Sequence, residues 1–144
     1  MKKINIQFVE QPMPASMKDE YIYLRKKSPI EIIADESVET VADFNELSKM
    51  FHGINVKLMK ASGYGNAIDL LKSAKSYKMK TMIGCMIESS LAIYSALNIT
   101  SLVDYIDLDG SLLVANEPFG LITESDGLLS CDDAKFEAFS RVVY

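Results

Sequence analysis

Five apolar runs in this 144-residue chain each close on a polar side chain or a cysteine. Glu10 ends IQFVE, Asp35 ends EIIAD, Lys57 ends INVK, Cys85 ends KTMIGC, and Asp107 and Asp109 end YIDLD. Glu10 and Asp35, if their strands are neighbours, place two hard carboxylates in one spot, a donor set that suits Mg²⁺ with some of its waters kept. Taken singly, each is as readily a solvated strand end. Lys57 lies between Val56 and Leu58. A lysine within an apolar run must reach an open mouth or stay unpaired in a core, which is costly. In a partly dry site it loses proton affinity and can act as a base near neutral pH; the plainer alternative is a stem that snorkels to the surface. Asp107 and Asp109 stand two apart, so a strand would turn both to one face. Paired carboxylates hold an ammonium group by charge-assisted hydrogen bonds, or a second metal; the alternative is a solvated turn before Gly110.

Other polar residues fit structural roles. Lys60 reads as a loop or helix-start residue. Glu88 suits the first turn of a helix and His52 a helix end, where their charges favour the dipole. Cys85 has no histidine nearby in sequence to activate it. The eight methionines are scattered as core filler.

The elements that must position these residues follow from spacing. Successive run ends lie 25, 22, 28 and 22 residues apart. A strand with a crossover helix needs about that length, so the chain reads as repeated βα units. Strands are expected at 4–10, 31–35, 54–58, 80–85 and 103–108. Helices are expected at 17–27, after Thr40 as cap with Val41, Phe44, Leu47 and Phe51 inward and Gly53 ending it, from Asn66 with Ile68, Leu71 and Ala74 inward, and over 88–98 with Leu91, Tyr94 and Leu97 inward. Residues 111–130 read as a hairpin or irregular cover, and Asp132 or Asp133 caps a last helix through Val142. Nearly continuous apolar strands between amphipathic helices are the pattern of a parallel sheet covered by helices. The fold class is therefore α/β, with about five parallel strands of a TIM-type (β/α) barrel, whose chemistry sits at the C-terminal ends of the strands. No linker divides residues 1–144, which read as one partial barrel domain.

Composition narrows the function. A net charge of −5 leaves no basic footprint for nucleic acid. Cys85 and Cys131 form no CxxC, which favours a reducing compartment, and the cytoplasm is the expected location. The start lacks the apolar run of a signal peptide. The stretch MIGCMIESSLAIYSALNI is broken by Glu88, Ser89 and Ser90 and falls short of a membrane span.

Taken in order, FVEQP, IADES, INVKLMKASG, MIGCMIESSLAI and DLDG resemble the enolase superfamily, within it the muconate-lactonising subgroup, and most closely the dipeptide epimerases. The resemblance implies that Glu10 and Asp35 match the fourth- and fifth-strand carboxylate ligands of Mg²⁺. It implies that Lys57 is the sixth-strand acid/base and that Asp107 and Asp109 are the eighth-strand pair that binds a dipeptide's free ammonium group. The implied reaction is 1,1-proton transfer at the α-carbon of the dipeptide's C-terminal residue through an enediolate, with a lysine base and Mg²⁺. The family's capping domain, its first three strands, a K-x-K lysine and a third metal carboxylate would precede residue 1. The resemblance thus implies a C-terminal portion, inactive alone, that works with the N-terminal half or as a homo-oligomer. Two alternatives stand beside it: another reaction of the superfamily, a cycloisomerase or synthase, and a non-catalytic half-barrel that self-associates.

Overall fold

The computed structural model describes residues 5–143; Ile4, the expected first residue of the first strand, lies outside them. Five parallel strands stand side by side in chain order: β1 (Phe8–Glu10), β2 (Glu31–Ala34), β3 (Gly53–Lys57), β4 (Lys80–Gly84) and β5 (Tyr105–Ile106). Four helices occupy the crossovers: α1 (Lys18–Lys27), α2 (Phe44–Met50), α3 (Tyr64–Ser76) and α4 (Ser90–Leu97). The antiparallel hairpin β6 (Ile122–Ser125) and β7 (Leu128–Cys131) and the helix α5 (Asp133–Val143) follow. The expected five-strand portion of a barrel is what the chain forms.

The pleat sorts the residues of each strand. Ile32, Ala34, Ile54, Val56 and Ile83 join the core with Leu47, Leu71, Ala74, Ile93 and Ala96 of the helices. The alternate positions line the other, inner face. There Phe8 is registered with Glu31, Gly53 with Lys80, Asn55 with Met82, and Lys57 with Gly84. A Cβ on Gly53 would come within 2.7 Å of Lys80 Cβ and 2.6 Å of Ile33 Cδ1, so the floor has no room for a side chain there. Across that floor the rings of Phe8 and Tyr105 stand 4.8 Å apart, and the Tyr105 hydroxyl donates to Glu31 at 2.8 Å. The first and fifth strands therefore meet inside a curled sheet.

Local sequence explains most helix ends, with corrections. Helix α1 carries Asp19 and Glu20 in its first turn and Arg25, Lys26 and Lys27 in its last, matching its dipole. Helix α2 is capped by Asp43, which accepts from the N–H groups of Asn45 and Glu46, not by Thr40. Val41, expected inward, is 87% exposed because it precedes that cap. Gly53 does not end α2; it opens β3. Helix α3 starts at Tyr64 after Gly63, whose φ of 109° only glycine adopts freely. Asn66 lies within α3 and donates to the carbonyls of Thr40 and Ala61. Helix α4 begins at Ser90, not Glu88; it buries Ser90, Ile93 and Ala96 most fully, and Tyr94 and Leu97 of the expected face pack half-buried against the same core. Asp132 caps α5, accepting from Lys135 N at 2.9 Å.

Candidate active site at the strand ends

The C-terminal ends of β1 to β4, with the turn after β5, form one mouth. Parallel strands in register bring it about: each strand's last inward residue reaches the same level. Asp35 follows β2 and Lys57 ends β3, and their side chains, 12% and 14% exposed, pair at 2.8 Å. Lys60, expected as a plain loop residue, turns back instead. Its Nζ donates to Asp35 Oδ1 and to the Asp35 carbonyl, each at 2.7 Å. One carboxylate thus receives two ammonium groups. Gln11 fixes the backbone beneath it, its Oε1 accepting from Asp35 N at 2.7 Å and Ser37 N at 3.0 Å.

Glu10 stands beside this pair. Asn55 donates from Nδ2 to Glu10 Oε1 at 2.7 Å, reaching across β2. Burial raises the Glu10 carboxyl above the ordinary range, the Asn55 bond opposes this, and the charge of Asp35 adds to it. For Asp35 burial also pushes up, yet the bonds and charges of Lys57 and Lys60 outweigh it and hold the group low. The expectation that dryness lowers the proton affinity of Lys57 is corrected here. Burial does pull it down, but the bond and charge of Asp35, with Glu10 and Glu36, outweigh burial and raise it.

Asp107 and Asp109 lie on the same side of the mouth, but not by strand alternation, since β5 ends at Ile106. A turn places them together: Asp109 adopts a helical backbone conformation and opens a single 3-10 turn over Gly110–Leu113. Burial, then the charge of Asp109, raises the Asp107 carboxyl, while the charge of Lys57 opposes. Gly110 is pinned, its N–H donating to Cys85 Sγ at 3.3 Å, and a Cβ there would lie 2.0 Å from the Met86 carbonyl oxygen. Burial pushes the Cys85 thiol up, which keeps it from being a ready nucleophile. Glu88 precedes α4 and accepts from Met86 N at 3.2 Å. His52 serves the fold, its Nδ1 accepting from Ile32 N.

Two hollows flank Lys57. One, of about 370 Å³, is lined by Asp35, Glu36, Glu39, Lys57, Lys60 and Met86. The other, of about 220 Å³, is lined by Lys57, Cys85, Met86, Ile87, Asp107, Asp109, Gly110 and Leu113. Lys57 and Met86 form the wall between them. The arrangement sets Asp35 in one hollow and Asp107 with Asp109 in the other, with the Lys57 amine lining both. No group of three or more His, Cys, Asp or Glu side chains able to hold a metal exists among the described residues. Glu10 and Asp35 are the oxygen donors that Mg²⁺ takes, and one or two carboxylates with waters often hold it; a metal on Asp35 would displace Lys57 or Lys60, which engage both of its oxygens.

Residues 1–120 match the family described as enolase C-terminal domain-like. The chain belongs to that family. Among curated relatives of this enolase-type domain, the L-Ala-D/L-amino acid epimerase of Pedosphaera parvula is 44% identical over 138 residues, covering 95% of this chain and 40% of that protein. The L-Ala-D/L-Glu epimerase of Bacillus subtilis, solved in a substrate-liganded complex, superposes with a TM-score of 0.77 at 30% identity, over 88% of this chain and 37% of that one. The dipeptide epimerase of Methylococcus capsulatus, solved with Mg and the dipeptide L-Arg-D-Lys, gives a TM-score of 0.76 at 34% identity, over 88% and 38%. The chain spans about two fifths of the length of these relatives. Among the described residues, no helix is long and apolar enough to cross a membrane.

Proposed function

We propose that residues 1–144 are the C-terminal barrel portion of a Mg²⁺-dependent dipeptide epimerase of the cytoplasm, one that moves the α-proton of the dipeptide's C-terminal residue. The observation that carries this reading is the position of Lys57, its Nζ 2.8 Å from Asp35 and its side chain lining a hollow with Asp107 and Asp109. The epimerase names of relatives over nearly the whole chain support it. Glu10 and Asp35 would hold the metal. Bound Mg²⁺ supplies positive charge beside the substrate carboxylate as the α-proton leaves.

The chain's own residues do the rest. Asp107 and Asp109 take the free ammonium group, and that anchor aims the α-carbon at Lys57. Paired with Asp35, Lys57 is protonated and serves as the acid that returns a proton. It serves as the base once Asp35 directs its charge elsewhere, since burial then lowers its proton affinity. Inversion needs access to both faces, so a second base must face Lys57 from the polypeptide that completes the barrel.

The test is α-proton exchange of L-Ala-L-Glu in heavy water with Mg²⁺, followed by NMR. The chain is assayed alone and mixed with the N-terminal three fifths of the Pedosphaera relative. Exchange at the C-terminal residue's α-carbon only in the mixture is the expected result. A mixture that forms a stable complex yet exchanges no α-proton from any of a panel of dipeptides overturns the reading.

A further inference from the structure

We infer that Asn55 is a positioning residue: its amide holds the Glu10 carboxylate at the mouth and so sets the geometry of the cation-binding pair, an inference that rests on the metal reading above. Asn55 occupies the middle of β3 and is 2% exposed. Its neighbours Ile54 and Val56 pack into the helix-facing core, so Asn55 points to the inner face. An apolar side chain would fill such a place at no polar cost, whereas a buried amide is costly unless bonded. Its Nδ2 meets Glu10 Oε1 at 2.7 Å. Its Oδ1 is buried and has no donor among the described residues. The half-used amide is thus kept for the one bond it makes.

A second, independent feature leaves room for that amide. Gly84, the last residue of β4, lies against it with a bare α-carbon; a Cβ there would come within 2.6 Å of both Nδ2 and Oδ1. The bond engages Glu10 Oε1. The reverse amide orientation would set oxygen against oxygen, so the donor side is the one that faces Glu10. Glu10 ends a strand of only three residues, and Asn55 ties its carboxylate to the more deeply buried β3.

The test uses the full chain with Mn²⁺ alone as the probe, bound Mn²⁺ being followed by electron paramagnetic resonance. Asn55→Leu fills similar space without a donor. Asn55→Ala, which avoids any overlap with Gly84, serves if the leucine variant does not fold. Each is made with Glu10 present and in a Glu10→Gln background, and thermal unfolding is followed in parallel without metal. Loss of such a partner weakens metal binding by roughly tenfold or more. That loss is expected with Glu10 present and not in the Glu10→Gln background. Wild-type affinity in the Asn55 variant overturns the inference, as does an equal loss in both backgrounds. If the wild-type chain binds no Mn²⁺, the metal reading falls, and unfolding decides Asn55 by itself. A stability loss that disappears in the Glu10→Gln background supports Asn55 as the holder of Glu10, and additive losses overturn it.

Discussion

Lys57 and Asp35 face each other from neighbouring strand ends, Nζ 2.8 Å from Oδ2, and each holds the other charged against the pull of burial. Lys60 joins from the next turn, so Asp35 balances two ammonium groups with one carboxylate. Removing that carboxylate leaves burial opposed only by Glu10 and Glu36. Asp35→Asn is therefore expected to lower the proton affinity of Lys57, read from its side-chain nitrogen resonance during a pH titration. A Lys57 that titrates as in the wild type would show that Asp35 does not control it.

In the reunited enzyme, Lys57→Met is expected to slow α-proton exchange by roughly 10²- to 10⁴-fold, the usual loss for a positioned acid or base. Dipeptide affinity should hold. Affinity falling along with rate would assign Lys57 to binding.

Asp107→Asn with Asp109→Asn removes both charges facing the smaller hollow. The expected outcome is a raised KM for dipeptides with a free ammonium group and little change for N-acetylated analogues. Unchanged epimerisation would sink the ammonium-binding role and favour another reaction of the superfamily.

Gly110→Ala tests how the pair is held. The added Cβ meets Cys85 Sγ and, at 2.0 Å, the Met86 carbonyl oxygen, which as backbone cannot swing aside. Overpacking of this kind costs about 1–3 kcal/mol. Denaturant unfolding should show that loss, and a stability within error of wild type would mean that the turn is looser than described.

Glu117 gives a prediction in pH. It accepts from Ser90 N at 2.9 Å and Ser90 Oγ at 2.8 Å, and from the N–H groups of Phe119 and Gly120. Burial raises its carboxyl, but these four bonds outweigh burial and hold it below the ordinary value of 4.5. A depressed carboxyl contributes stability that is present above its ordinary value and lost as pH falls through the lower, folded one. Glu117→Gln should therefore destabilise the chain near neutral pH and flatten the acid limb of the stability curve below 4.5. An acid limb as steep as wild type would place the titration elsewhere.

Much of this was legible in the sequence. The period of the βα units and the near-continuous apolar strands required a covered parallel sheet, and parallel strands carry their last residues to one end. Hence Glu10, Asp35, Lys57, Asp107 and Asp109 stood out as strand-end polar residues and do meet at one mouth. What spacing could not supply was which charges pair. Lys60 looked like a loop residue because its role depends on a turn that folds it back onto Asp35. Asn55 was passed over because one polar residue within an apolar run carries no sign of its partner, which comes from a strand two places away. Gln11 was missed for the same reason. The start of α4 and the cap of α2 shifted because several Ser, Thr and Asp residues compete for each helix start, and packing chooses among them.

Sequence alone determined the order of elements, the inward alternation and the set of ionisable residues at the strand ends, since these follow from side-chain period and chain length. Tertiary structure alone decided the proton affinities. Burial by itself lowers the proton affinity of Lys57, and Asp35 at 2.8 Å, with Glu10 and Glu36, reverses that sign. Electrostatic energy depends on distance through space, and the 22-residue step from Asp35 to Lys57 does not state that distance.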